Sequence, residues 1–101
     1  MIVHNITTKV LWVASEEWIR WQQETCFPKL LATGLCEDCR IFHLLDQDET
    51  EGPTYTIQLF FNKQESYDAF LLEINPGLVR DADQRWRGVS VHFSTAMQLV
   101  N

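Results

Sequence analysis

The feature that most constrains this chain is the order in which its apolar residues change period. They recur at every second position near the start, then with helical spacing, then in two more alternating runs. A second helical stretch follows, and Val89 to Leu99 alternate again. Strand side chains point to opposite faces in turn, whereas helical neighbours meet three or four residues apart. The order is therefore β-α-β-β-α-β, and it specifies an architecture before it specifies any chemistry.

Length and charge narrow the class. With 101 residues the chain is expected to form a single domain, 1–101, around one core. Fourteen acidic residues against 8 basic ones leave a net charge of −6, which argues against a nucleic-acid partner, because phosphate contacts need a basic face. Arg80, Arg85 and Arg87 gather where a helix should end, where cations complement its dipole. No secretory leader and no stretch long enough to span a bilayer is readable, so no membrane association is expected. Three cysteines, an odd number, fit a reducing cytoplasmic setting better than a disulfide framework.

The first strand is expected over Ile2 to Val13, with Ile2, Ile6, Val10 and Trp12 on one face and Val3, Asn5, Thr7, Lys9 and Leu11 on the other. Ser15 reads as a helix cap before Glu16 and Glu17, and Gly34 as the stop of a helix over Glu16 to Thr33. That helix carries two apolar stripes, one with Trp18 and Trp21 and one with Ile19, Cys26 and Leu30. Strands follow over Cys36 to Leu45 and Thr54 to Phe61. A second helix covers Lys63 to Trp86; its stripe stays in phase across Asn75-Pro76-Gly77, so it reads as one kinked helix or two short ones packed as one. In the last strand Val89, Val91, Phe93, Met97 and Leu99 are expected to face the helices, with Ser90, His92 and Ser94 on the other side.

Each helix must bury its stripe against the apolar strand faces, which places both on one side of a four-stranded antiparallel sheet. The α+β class that results is a ferredoxin-like sandwich. The uncovered face would hold Asn5, Thr7, Gln58 and His92, together with Thr56, Phe60, Ser90 and Ser94. Such a mixed face can pack on its twin in a homodimer, forming a dimeric α/β barrel around a pocket for a small-molecule ligand.

Candidate chemistry is sparse. Cys36-Glu37-Asp38-Cys39 is a CxxC, but it opens a strand instead of a helix, and two carboxylates between the thiols oppose thiolate formation. It reads as small residues at a strand start. His4 and His92 are expected on opposite faces, so the histidines form no metal set, and neither a metal nor a cofactor is expected. The acids between Asp46 and Glu51 lack the spacing of a calcium loop and read as a solvated hairpin. His92 is the candidate general base or ligand contact. Asn5, Thr7 and Gln58 are candidate ligand contacts, and Trp18 and Trp21 share a stripe that could line a pocket.

Several stretches together carry a resemblance: Asn5-Ile6-Thr7, Trp18-Ile19-Arg20-Trp21, Pro28, Ala32-Thr33-Gly34-Leu35, Thr54-Tyr55-Thr56-Ile57-Gln58, Tyr67, Pro76 and Phe93-Ser94-Thr95. Across nearly its whole length the chain resembles a small bacterial family catalogued only as a domain of unknown function. The resemblance implies a ferredoxin-like domain of the dimeric barrel type and brings no activity with it. Where that family usually has His-Ile-Pro, this chain has Cys26-Phe27-Pro28, so any role of that histidine is lost or passed to a thiol. The expectation is a homodimeric ligand-binding or regulatory module, with the signal for catalysis weak throughout. Its alternatives are a cofactor-independent monooxygenase or isomerase using His92, or a purely structural dimer.

Overall fold

The computed structural model describes residues 1–101. Its strands are β1 (Ile2–Val10), β2 (Asp38–His43), β3 (Thr54–Phe61) and β4 (Ser90–Gln98), in the antiparallel order β2-β3-β1-β4. Two helical arms cross one face. The first joins α1 (Trp12–Trp21) to α2 (Phe27–Ala32) through a π-helical turn, Gln22–Cys26. The second joins α3 (Gln64–Ala69) to α4 (Asn75–Arg85) through another, Phe70–Ile74. The α+β ferredoxin-like class read from the periodicity is the observed one.

The π turns have a common cause. Pro28 and Pro76 lie in the first turn of α2 and of α4, just beyond each widened segment. A proline has no N–H to donate, and its ring collides with the carbonyl four residues back. A π turn enlarges the loop of backbone there and relieves both problems. It also changes the buried face. Trp18, Gln22, Cys26 and Leu30 are all buried at intervals of four, a spacing that drifts by about 40° per step in a regular helix. The extra backbone in the turn absorbs that drift and keeps the four in line. The second arm therefore runs on through Asn75-Pro76-Gly77, and Pro76 faces solvent as its place in the stripe requires.

Leu59, Phe61 and Val10 on the sheet meet Trp18, Leu30, Tyr67, Phe70 and Trp86 on the arms, and these residues are the centre of the core. Phe61 packs against Phe70 at 4.9 Å and Tyr67 at 5.2 Å between ring centres. His4 is buried beside them with Nδ1 3.0 Å from the Tyr67 hydroxyl, and burial lowers its pKa. Gly34, at φ 74°, ends the first arm with the left-handed turn expected of it.

Three expectations are corrected. β1 ends at Val10 and Trp12 already begins α1, because Val10, Leu11 and Trp12 turn away to donate to Pro53, Val89 and Glu51 carbonyls. Ser15 is consequently inside the helix, its hydroxyl donating back to the Trp12 carbonyl at 3.2 Å, and Leu11 occupies the cap position.

The third correction inverts β4. Thr8 is paired with His92 and Val10 with Ser90, so Ser90, His92 and Ser94 face the helices. Val91, Phe93, Thr95 and Met97 share the open face with Lys9, Thr7, Asn5 and Val3. A shift of one residue would exchange the two sets. Leu11 N–H donating to Val89 O, and Leu99 N–H to Met1 O, fix the register at both ends.

Candidate functional site

The inversion of β4 relocates the site. Between sheet and arms lies a cavity of about 60 Å³, enough for several waters. Its floor is Ile6, Thr8, Ile57 and Leu59; the first arm supplies Trp18, Trp21, Gln22, Cys26 and Leu30. Asn75, Leu78 and Ala82 close it from the second arm, and His92 and Ser94 stand at the β4 side. Beyond His92 the helix-facing residues of β4, Ser94, Ala96 and Gln98, are exposed, so this side is where the arms stop covering the sheet.

The lining is mainly apolar with a few polar atoms, the composition of small-molecule sites. Both π turns border it: Gln22 and Cys26 belong to the first, and Asn75 directly follows the second. Gln22 is only 7% exposed, a buried amide in line with Trp18 and Leu30. Trp86 is as deeply buried, and its indole N–H meets no acceptor in the protein. An unmade hydrogen bond of this kind costs about 1–3 kcal/mol. Trp21 meets the Trp86 ring edge-on at 5.8 Å and Arg85 sits 5.3 Å over it, so the indole is clamped. Trp18 is stacked on Tyr55 at 5.2 Å. Burial pushes the Cys26 thiol up to about 11, and it lines the wall as a neutral, inert group.

His92 Nε2 lies 3.0 Å from Asp83 Oδ1 on α4. A carboxylate there favours the tautomer with the proton on Nε2 and leaves Nδ1 as the ring's acceptor. The other histidines have separate partners. His43 Nε2 meets Glu49 at 2.8 Å in the hairpin, and His4 is held by Tyr67. His4 and His92 do share the helix-facing side, contrary to expectation, but they sit about 13 Å apart along the strands.

Of the residues singled out in the sequence, Trp18, Trp21 and His92 line this cavity, whereas Asn5, Thr7 and Gln58 are on the opposite face of the sheet. There Asn5 Nδ2 donates to Thr7 Oγ1 at 3.2 Å, and the surroundings are far more apolar than foreseen. Phe42 (46% exposed), Val91 (70%), Phe93 (61%) and Met97 (44%) leave a band of hydrophobic surface across that face. Sequence reasoning missed Gln22 and Asn75. Gln22 had a signal, since it interrupts an apolar four-residue repeat; Asn75 read only as part of a helix breaker.

In the hairpin, the Asp48 carboxylate accepts from Thr50 Oγ1 at 2.6 Å and Thr50 N at 3.0 Å, which hold it below the usual carboxylate range. The loop's acids are used by the loop itself. Cys36 and Cys39 bring their sulfurs within 3.6 Å, and no third His, Cys, Asp or Glu joins them in a metal-binding group.

A ferredoxin-like sheet with a chamber under its helices defines the structural class, and solved structures of that class superpose on this chain. A variant of SnoaB, a cofactor-independent oxygenase from Streptomyces nogalater, is 13% identical at TM-score 0.69, over 99% of this chain and 94% of that one. A dimeric ferredoxin-like protein from an uncultured marine organism is 12% identical at TM-score 0.66, over 99% and 96%. A variant of MhuD with two manganese protoporphyrin IX molecules per active site is 14% identical at TM-score 0.67, over 100% and 96%. At these identities the likeness establishes the fold alone. No curated protein matches the sequence. The family model described as "Domain of unknown function (DUF4286)" matches residues 1–100, and the chain belongs to that family. No helix is long and apolar enough to cross a membrane.

Proposed function

We propose that this protein is a cytoplasmic homodimer that binds a small, largely apolar molecule between its sheet and its helical arms. The observation that carries the reading is the chamber itself, whose apolar walls enclose a buried amide, Gln22. Trp18 and Trp21 would give flat contact surface, while Gln22, Asn75 and His92 would orient polar atoms of the ligand. The second copy belongs on the open sheet face, where the apolar band of β4 and β2 needs covering. Asn5, Thr7 and Gln58 then serve the interface as polar partners. The protein found as a dimer among the similar structures supports the same assembly.

One observation favours a second reading. The His92–Asp83 pair at the chamber wall has the form of an oriented general base, and a similar fold supports oxygenase chemistry without a cofactor in SnoaB. Native mass spectrometry of the protein purified from cells tests the leading reading. A dimer carrying a small extra mass, lost in Gln22→Leu, is the expected result. A monomer would overturn the assembly. An empty dimer in which Gln22→Leu leaves the binding of 1-anilinonaphthalene-8-sulfonate unchanged would overturn the chamber. Turnover of the released molecule by the wild type and not by Asp83→Asn would establish the catalytic reading.

A further inference from the structure

The cysteine pair is shaped for a task that the chamber does not explain. Cys36 precedes β2 and Cys39 lies within it, on the helix-facing side opposite Leu59, so both are clear of the apolar sheet face. The two residues between them are braced. Glu37 N–H donates to Phe60 O at 2.7 Å, and Asp38 Oδ1 accepts from Cys39 N at 2.9 Å. Asp38 Oδ2 also takes the Arg40 Nε–H at 2.8 Å. The carboxylate that should oppose thiolate formation is therefore turned to a guanidinium and a backbone N–H.

The sulfurs form a directional chain. Cys36 Sγ is 3.1 Å from the Asp38 carbonyl it donates to, which leaves the Cys39 S–H to point at Cys36 Sγ, 3.6 Å away. Closing a disulfide requires them to approach by about 1.5 Å, from 3.6 Å to the S–S bond length. Cys36 is buried and Cys39 partly exposed, so the pair opens to solvent on the Cys39 side.

We infer that Cys36 and Cys39 are a peroxide-reactive dithiol that closes into a reversible intramolecular disulfide. The Cys36 thiolate attacks one oxygen of a hydroperoxide, ROOH, breaking the O–O bond; the leaving alkoxide takes up the proton released by Cys36 and departs as ROH. Cys36 is then a sulfenic acid, S–OH. Cys39 sulfur attacks that sulfur, and the hydroxide released combines with the Cys39 proton as water. Two thiols are oxidised by two electrons and one peroxide is reduced to ROH and water.

The three cysteines make an internal comparison. Hydrogen bonding from Cys39, aided by the backbone at Phe60, outweighs burial and the remaining opposition of the Asp38 charge and brings Cys36 down to about 7, and the same bond raises Cys39. Cys26 is pushed up to about 11 by burial. Cys36 is thus the thiol of the three held readiest to ionise, and Cys26 is held protonated by its burial. The weaker nucleophilicity of the lower-pKa thiolate returns part of that advantage.

The test is timed oxidation of the wild-type protein with hydrogen peroxide at neutral pH, alkylation, and peptide mass mapping. Expected are a peptide joining Cys36 to Cys39 with two hydrogens lost, reversal by dithiothreitol, and a Cys26 still reduced when the pair has closed. In Cys39→Ser, dimedone should trap the sulfenic acid on Cys36. Oxidation of Cys26 at the same rate as the pair, or irreversible oxidation without the internal link, would overturn the inference. The wild-type experiment stands even if a cysteine variant fails to fold.

Discussion

Phe93 offers the sharpest test of the assembly. It lies in the middle of β4, paired with Thr7 of β1, and is 61% exposed on a face that no part of the chain covers. A phenylalanine presents about 200 Å² of surface, so roughly 120 Å² of it is open to a partner. At about 25 cal/mol per Å², covering it is worth about 3 kcal/mol, and a two-fold interface uses each Phe93 once. Phe93→Ala therefore removes up to about 6 kcal/mol from dimerisation. Allowing half for imperfect packing leaves about 3 kcal/mol, a dissociation constant weakened roughly 100-fold. The monomer's own stability should barely change, because the ring makes little of the core. Sedimentation equilibrium over a dilution series, with thermal melts of the dissociated material, separates the two effects. A wild type that is monomeric throughout, or a Phe93→Ala dimer as tight as the wild type, refutes the reasoning.

Other consequences are as direct. A Cβ on Gly52 would lie 1.8 Å from the Val10 carbonyl oxygen, because the hairpin runs against the end of β1. Gly52→Ala should cost about 3 kcal/mol or more in urea unfolding, as the loop must be displaced. Tyr67→Phe takes the partner from His4 Nδ1 while Nε2 already has none, and should cost about 1–2 kcal/mol by the same measurement. His4, whose ordinary value is 6.5, is held lower in the fold by burial. The unfolded chain therefore binds its proton first, so stability is full above 6.5 and declines as pH falls below it toward the folded value. Comparing wild type with His4→Gln in melts on either side of that pH should show a shallower decline in the variant. Asp83→Asn should free the His92 ring, read as a change in its NMR ring shifts, while leaving the melting temperature within a degree or two, since Asp83 is largely exposed.

How legible these features were depends on what each pattern encodes. Alternation identified β3 and β4 within a residue or so, because side-chain direction in a strand is a geometric necessity. It could not say which face of β4 meets the helices. The apolar row of Val91, Phe93 and Met97 looks like core whether it faces helices or a partner. His92 was consequently placed with Asn5 and Gln58 when it belongs with Trp18 and Trp21. In the first arm, Trp12 and Val10 continue an alternation that the backbone abandons at Leu11 in favour of hydrogen bonds to Pro53, Val89 and Glu51. Those partners are distant in the chain, and no local pattern announces them. Gln22 could be found only by reading intervals of four, because a π turn there breaks the 3.6-residue spacing on which stripes are usually read.

The apolar band on the open face changes what stability means for this protein. If two copies cover it, the association free energy is part of the folding free energy, and the melting temperature acquires a dependence on concentration. Each dilution would then lower the midpoint, and each molecule that binds only the paired form would raise it. Newly made chains would pass through a stage in which Val91, Phe93 and Met97 face water beside the edge of β4, exposed to any other strand that meets them. In such a dimer, finding the correct partner quickly would be the last step of folding.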